Sequence, residues 1–555
     1  MNNYNQWFNR FDKCAVYKKL EKNPVAYFCM EYALPKNLPT YAGGLGVLAG
    51  DFIKEAKEKN FPMVAIGLFY SKKCQFDASG NVYITNNPAY FELKPVLDKF
   101  GRKIKISVPI ADRTVYIQAW VYNDGTIPLY LLDTNLGEND LSDRSITDLL
   151  YVFDSERRLK QEIVLGVGGI RFLRAMNIEP SIYHMNEGHS TFLIYELAHQ
   201  LMENSGMSFA EAFEKSKAHI AFTNHTLIVG ARDYFSYDLT SRVLTSYADE
   251  INMPVEELIY KGLDSEKKNM AATNLALNAS TKINAVSRLH AEKARDVWPE
   301  HPMLPITNGV NIKRWDKIGE HDIDEQHQKN KKKLLDYIQK ETKVKWSENE
   351  LLIGWARRVT GYKRPTAIFD ELDRIKAVIT DQKRPVKLVF AGYPHYLDEE
   401  GRWLLNRLRE LSHKDLRGSM VFLENYNTDI SQLLISGCDV WLNTPVVGLE
   451  ACGTSTMKAA LNGSILCSTN DGWIPEVDLN DIGFMLNDEN VNASLIDLIG
   501  QSIAPLYYER NDSDNSVWHQ KMLRSRHAIV DNFGADRMLK DYIEMIYEPI
   551  LAEKS

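Results

Sequence analysis

The sequence predicts an α/β protein in which two Rossmann-like, doubly wound domains face an interdomain cleft. Three observations carry this expectation. Short apolar, β-rich runs alternate with helical patterns in both halves of the chain, as they do where parallel sheets are wrapped by helices. A charged segment without strand pattern, 317–347, interrupts the alternation. The chain has 555 residues, more than one hydrophobic core organises.

In the first half the strand candidates are VAYFCM (25–30), FPMVAIGLFY (61–70), SIYHMN (181–186), AFTNH (221–225) and INAVS (283–287). Between them KISVPI (105–110), TVYIQAWVY (114–122) and PLYLLD (128–133) follow one another without helices, which reads as an antiparallel insertion. The second half offers LLIGWAR (351–357), VKLVFAG (386–392), SMVFLENY (419–426), DVWLN (439–443) and SILCST (464–469). The segment 317–347, with its run KNKKK, reads as a helical linker whose lysines form a solvated face. Met538, Leu539, Tyr542, Ile543 and Ile546 fall on one helical stripe that must bury, and the first domain is the nearest candidate. The expected division is therefore 1–316, linker 317–347, 348–520, and a tail 521–555 that packs back on the first domain.

Composition narrows the function. A formal net charge of −8 argues against nucleic acid or anionic membrane as partner, while leaving room for an anionic small ligand at a local basic cluster. The cysteines at 14, 29, 74, 438, 452 and 467 contain no CxxC pair and are too sparse for a disulfide scaffold, so reduced thiols in a cytoplasm are expected. The first residues carry no apolar signal-peptide core, and no run of 18 apolar residues predicts a membrane span.

The segment EACGTSTMKAALNG, Glu450–Gly463, follows the strand candidate DVWLN. Its small residues Gly453, Thr454 and Ser455 precede a helical run, a turn that presents N–H groups and hydroxyls to a phosphate. Lys458 reads as lying in the first helical turn, where a lysine beside a phosphate cradle suits Schiff-base formation with a cofactor aldehyde. A surface lysine on an ordinary strand–helix turn is the alternative. Arg357, Arg358, Tyr362, Lys363 and Arg364 in ARRVTGYKRP follow the strand LLIGWA and read as an anion site. In TYAGGLGVLAGD (40–51), Gly43, Gly44 and Gly46 permit close backbone approach, although no P-loop pattern is present. HMNEGH (184–189) does not match a HExxH zinc site, so no metal is expected, and strand-end groups that bond a sugar fit better. TNHT (223–226) and TNGVNIKRW (307–315) read singly as a buried histidine and an Asn-Gly turn.

Taken together, these motifs resemble the glycogen/starch/maltodextrin phosphorylase family, best its short bacterial and archaeal branch. The similarity runs from PVAYFCMEYALPKNLPTYAGGLGVLAGD through LLDTNLGEND, RLKQEIVLGVGGIRFLRAMNIEP, HMNEGHSTF, AFTNHT, TNGV, ARRVTGYKRP, FLENY, VWLN and EACGTSTMKAALNG to STNDGWIPE. The resemblance implies a GT-B type fold and a retaining α-glucan phosphorylase that holds pyridoxal 5′-phosphate as a Schiff base on Lys458. It implies that Arg357 and Thr454 hold the cofactor phosphate and that Gly43, Gly44 and Gly46 bring their loop against the phosphates. Arg358 and Lys363 would bind inorganic phosphate or the phosphate of glucose 1-phosphate. Asn308, Glu450, Cys452 and Gly453 would hold glucosyl hydroxyls, His225 would cap the sugar from the opposite domain, and Glu31, Glu187 and His189 would line the cleft. Arg358, Lys363, His225 and Glu450 are thereby placed around the reacting atoms. An α-glucan or maltooligosaccharide is the expected partner, and a homodimer is usual for the family. The sequence departs from the family at Cys452, where serine is usual, at Thr456, and in NTPVVG before Glu450, where the short branch carries a basic pair. A nucleotide-sugar-dependent glucan synthase of similar fold, or a non-catalytic glucan-binding relative, is the alternative reading.

Overall fold

A computed structural model describes residues 3–34, 38–76, 82–87, 93–123, 125, 127–227, 233–510 and 516–552. Two large sheets organise the chain. The first has ten strands among the described residues. From one edge run Leu304–Pro305, Lys282–Ala285, Ile220–Thr223, Ile182–Asn186, Val25–Phe28, Met63–Leu68 and Leu129–Asp133, all parallel. Arg113–Tyr122 continues the sheet antiparallel and is flanked by Lys94–Pro95 and Lys105–Ile110. PLYLLD is therefore the last parallel strand rather than part of a separate antiparallel insertion. All five of its residues, Leu129–Asp133, are buried, as both faces of a covered parallel strand require. A hairpin of Lys72–Phe76 with Val82–Asn86, not among the strand candidates although the turn-forming sequence DASGN separates its two runs, lies outside this sheet.

The second sheet is wholly parallel, in the order Met420–Leu423, Val386–Ala391, Leu351–Ala356, Val440–Asn443, Ile465–Ser468, Gly483–Met485. Its central strand Leu351–Ala356 is buried throughout, which explains its unbroken apolar run. In each sheet the strand order reverses beside one strand, Val25–Phe28 in the first and Leu351–Ala356 in the second. The crevice beyond the carboxyl ends at such a reversal is where open α/β sheets take ligands.

The charged segment departs from the solvated-linker reading. Its helix, Ile323–Thr342, buries His327, Asn330, Lys331, Leu334, Leu335 and Ile338. Lys329, Lys332 and Lys333 are exposed, but the Lys331 ammonium donates to Asp439 at 2.6 Å, to the Tyr507 hydroxyl at 2.7 Å and to the Glu350 carbonyl at 2.6 Å. The tail stripe Met538, Leu539, Tyr542, Ile543 and Ile546 is buried in one cluster with Val25, Tyr27, Phe52 and Ile53. Tyr547 and Tyr542 also reach the first sheet through His184 (2.7 Å) and Thr223 (3.1 Å). Among the described residues no helix is long and apolar enough to cross a membrane.

Candidate active site

The lysine segment leaves the second sheet after Val440–Asn443 and turns into the helix Thr454–Leu461. Gly453 caps this helix without a side-chain hydrogen bond, so its first N–H groups point at the crevice with no capping oxygen. Lys458 is the fifth helical residue, one turn deeper than the sequence suggested. It is buried, with its nitrogen 4.2 Å from the centroid of the Trp315 ring. Burial pulls its pKa down to about 8, with Arg314 helping and Asp51 opposing. The surface-lysine alternative is thereby excluded.

Trp315, Arg314 and Asp51 were not singled out in the sequence, although they close two of its motifs. The Trp315 ring N–H donates to Asp51 at 2.7 Å and Arg314 donates to the same carboxylate at 2.9 Å. The floor under Lys458 is thus tied to the helix Gly44–Glu58, which carries Asp51.

Arg357 leaves the carboxyl end of Leu351–Ala356 and donates from one terminal nitrogen to Ser455 Oγ at 2.9 Å. Among the described residues its Nε and other terminal nitrogen are buried without a hydrogen-bond partner, the latter 3.6 Å from Glu450. Buried guanidinium donors are costly to leave unpaired, so this pair favours an anion at the helix start. Lys363 closes on Glu450 at 2.8 Å. Burial alone would push the Glu450 carboxyl up, but Lys363, Arg357 and Arg358 outweigh it and hold it below the usual range. The Glu450 main chain is positioned by Asp471, another residue not singled out, whose carboxylate accepts its N–H at 2.9 Å. Thr454 is half-buried at the first helical position, and Gly453 has Arg357 and Glu450 3.6 Å from where a Cβ would stand.

The glycine motif approaches from the first sheet. A Cβ on Gly43 would fall 2.7 Å from a terminal nitrogen of the exposed Arg358, one on Gly46 would fall 2.6 Å from Tyr41 Cβ, and one on Gly44 would meet nothing within 4 Å among the described residues. Glu31, just past the strand Val25–Phe28, anchors this loop. One carboxylate oxygen accepts the N–H groups of Ala42 and Gly43 at 2.6 and 3.0 Å, and the other accepts the Tyr151 hydroxyl at 2.8 Å. Both oxygens of Glu31 are therefore engaged by the protein. Further contacts join the two sheets' loops: Ser287 donates to the Ala451 carbonyl at 2.7 Å, Thr307 to Glu476 at 2.8 Å, and the Tyr41 and Thr428 hydroxyls lie 2.7 Å apart.

The remaining predicted residues divide. Glu187 adopts a positive φ of 72° and accepts the His225 N–H at 3.0 Å, while the His225 ring Nε2 lies 2.7 Å from Asn186 Oδ1. Burial raises the Glu187 pKa to about 7 and lowers that of His225 to about 3, so the imidazole is neutral. Asn308 is buried with its Oδ1 unpartnered among the described residues, and Cys452 is buried with its thiol pKa pushed far up by burial, a hydrogen bond with the Asn308 backbone opposing. His189 instead faces Asp233, 3.4 Å away, and the Tyr151 ring. His184 bonds Tyr547 and Thr223 in the core.

A family profile described as carbohydrate phosphorylase matches residues 173–325 and 316–483. The chain is 34% identical to a maltodextrin phosphorylase of Thermococcus litoralis, over 100% of this chain and 73% of that protein. It is 31% identical to a glycogen phosphorylase of Aquifex aeolicus, over 99% and 89% of the two chains. It is 30% identical to a glycogen phosphorylase of Mycobacterium tuberculosis, over 98% and 73%. With the profile spanning more than half of the chain and these relatives spanning nearly all of it, the chain belongs to the carbohydrate phosphorylase family.

Proposed function

We propose that the chain is an α-1,4-glucan phosphorylase, transferring the terminal glucosyl unit of an α-glucan or maltooligosaccharide reversibly to inorganic phosphate with retention of configuration. The observation that carries the reading is the pairing of a buried Lys458 amine, its pKa near 8, with unpartnered Arg357 donors at an uncapped helix start. These residues fit pyridoxal 5′-phosphate. Lys458 would hold its aldehyde carbon, and Arg357 with Thr454 and the first helical N–H groups would hold its phosphate. When bound, that group supplies a phosphate able to exchange a proton with the substrate phosphate.

The chain's own residues do the rest. Arg358 and Lys363 concentrate positive charge where orthophosphate must sit in an otherwise acidic protein. Glu450 keeps Lys363 aimed through its 2.8 Å ion pair. Gly44, open on its Cβ side, and Gly46 let the glycine loop approach the phosphates. Orthophosphate gives its proton to the glycosidic oxygen as the C1–O bond breaks, and one of its oxygens then bonds C1 from the same face. Asn308, Cys452 and Gly453 hold glucosyl hydroxyls, and the unpartnered Asn308 Oδ1 supports that role. Neutral His225, set by Glu187, covers the sugar from the first sheet's side. Glu31 and His189 act behind the cleft wall rather than on the sugar. The reaction needs water excluded. Two Rossmann-like domains of the GT-B type, 1–316 and 348–520, joined through 317–347 and tied by the tail 521–555, supply that by closing. A cytoplasmic enzyme acting as a homodimer completes the proposal.

The test is an assay of glucose 1-phosphate release from maltooligosaccharides of graded length, with and without added pyridoxal phosphate. Arg358→Ala should raise the phosphate requirement far more than the glucan requirement. Phosphate-independent hydrolysis, or turnover only with a nucleotide sugar, would overturn the reading.

A further inference from the structure

Tyr151 stands in the left-handed region, φ 54°, where a bulky aromatic side chain is a genuine outlier. Such strain persists only where the surroundings over-determine it, and it clusters at functional sites. Beside the His189 ring, three further contacts hold Tyr151. The Arg158 guanidinium lies 5.0 Å from its ring centroid and is itself fixed by Asp233 at 2.9 Å and Glu162 at 3.2 Å. The Tyr151 hydroxyl donates to Glu31 at 2.8 Å, and its carbonyl accepts the Tyr396 hydroxyl, from the second sheet's side, at 3.1 Å.

Glu31 passes the restraint on. Its second oxygen takes the N–H groups of Ala42 and Gly43, and a terminal nitrogen of Arg358 stands 2.7 Å from where a Cβ on Gly43 would be. The Tyr151 turn thus connects a contact across the two halves with the loop that bounds Arg358.

We propose that Tyr151 is a positioning residue for phosphate binding: through Glu31 it fixes Ala42–Gly43 against the Arg358 guanidinium, and through its carbonyl it registers that setting against Tyr396. The inference rests on Arg358 contacting substrate phosphate. A tyrosine lacking its hydroxyl keeps the ring on Arg158 but releases one oxygen of Glu31, and the loop then loses its fixed distance from Arg358.

The experiment uses the full chain with Tyr151→Phe, Glu31→Gln as a second variant, and the double variant. Binding of inorganic phosphate is measured by titration calorimetry, alongside the KM for phosphate and for maltoheptaose. The expected result for Tyr151→Phe is phosphate binding weakened about tenfold, the loss of one charge-assisted hydrogen bond, with the KM for maltoheptaose and the melting temperature little changed. The double variant should bind phosphate no worse than the weaker single variant, because both break one connection. Unaltered phosphate affinity in Tyr151→Phe, equal changes in both KM values, or additive losses in the double variant would overturn the inference. Failure of the underlying reading shows separately, as absence of glucose 1-phosphate from the wild-type protein.

Discussion

The amine of Lys458 sits 4.2 Å over the ring of Trp315, whose own N–H is anchored on Asp51 at 2.7 Å. The ring face favours the charged amine, yet burial prevails and leaves the pKa at about 8. A lysine at its ordinary value of 10.5 would be almost wholly protonated at neutral pH and a poor nucleophile. The neutral fraction should rise about fivefold from pH 7 to pH 8, and the rate at which cofactor-free protein takes up pyridoxal phosphate should rise with it. Stopped-flow absorbance reads this directly, and Lys458→Ala should retain no cofactor and show no phosphorolysis. The sign for stability follows. The folded state binds fewer protons at this site than the unfolded chain between pH 8 and 10.5, so the cofactor-free protein gains stability as pH rises across that window.

Three glycines of one motif should respond differently to alanine. Gly44→Ala meets nothing within 4 Å among the described residues, so thermal stability should hold; on the proposed placement of the phosphates the methyl enters their space, and activity should fall. Gly43→Ala collides with a flexible guanidinium, which can move, so the KM for phosphate should rise with a small stability loss. Gly46→Ala pushes against Tyr41 Cβ and Glu31 and should cost about 1–3 kcal/mol in denaturant melts. Equal effects at all three would contradict the arrangement.

Glu450 holds Lys363 at 2.8 Å and lies 3.6 Å from Arg357. Glu450→Gln should lower kcat/KM by about tenfold to a hundredfold, the range for a hydrogen bond to a charged group. The KM for phosphate should not rise, because the cations lose a competing carboxylate. The folded carboxyl titrates below its ordinary 4.5, so its stabilisation is present above that value and lost as pH falls through the lower one. The variant's stability should therefore depend less on pH along the acid limb, as denaturation at stepped pH would reveal.

The strands were legible because parallel strands buried on both faces leave apolar runs such as LLIGWA, and ARRVTGYKRP, EACGTSTMKAALNG, HMNEGH and TNHT because each stands at the carboxyl end of such a run. Lys458 was placed a turn early because Gly453, Thr454, Ser455 and Thr456 are all plausible helix starts, and backbone geometry alone selects Gly453 as the cap. What stayed hidden depends on distance along the chain. Asp51 and Trp315 meet across 264 positions, and neither residue type announces the other. Tyr151 takes a positive φ in LLYVFD, where no glycine or asparagine marks a turn. Lys331 sits in a run of lysines that composition reads as solvated.

That last residue yields the sharpest stability test. Lys331 and Asp439 pair at 2.6 Å in the interior, and Asp439 also accepts the Leu352 N–H at 2.7 Å and lies 3.2 Å from His327 Nε2. Burial would push the Asp439 carboxyl up, but Lys331 and His327 hold it below the usual range. Asp439→Ala leaves a buried ammonium facing only the Tyr507 hydroxyl and the Glu350 carbonyl, and should cost about 3–5 kcal/mol. A double variant, Lys331→Met with Asp439→Asn, removes both charges, fills the space with an apolar chain and keeps an acceptor for Leu352. It should be more stable than Asp439→Ala, since an ion pair removed whole costs far less than one broken. Urea denaturation compares the two, and a double variant weaker than the single one would show that Lys331 is solvated after all.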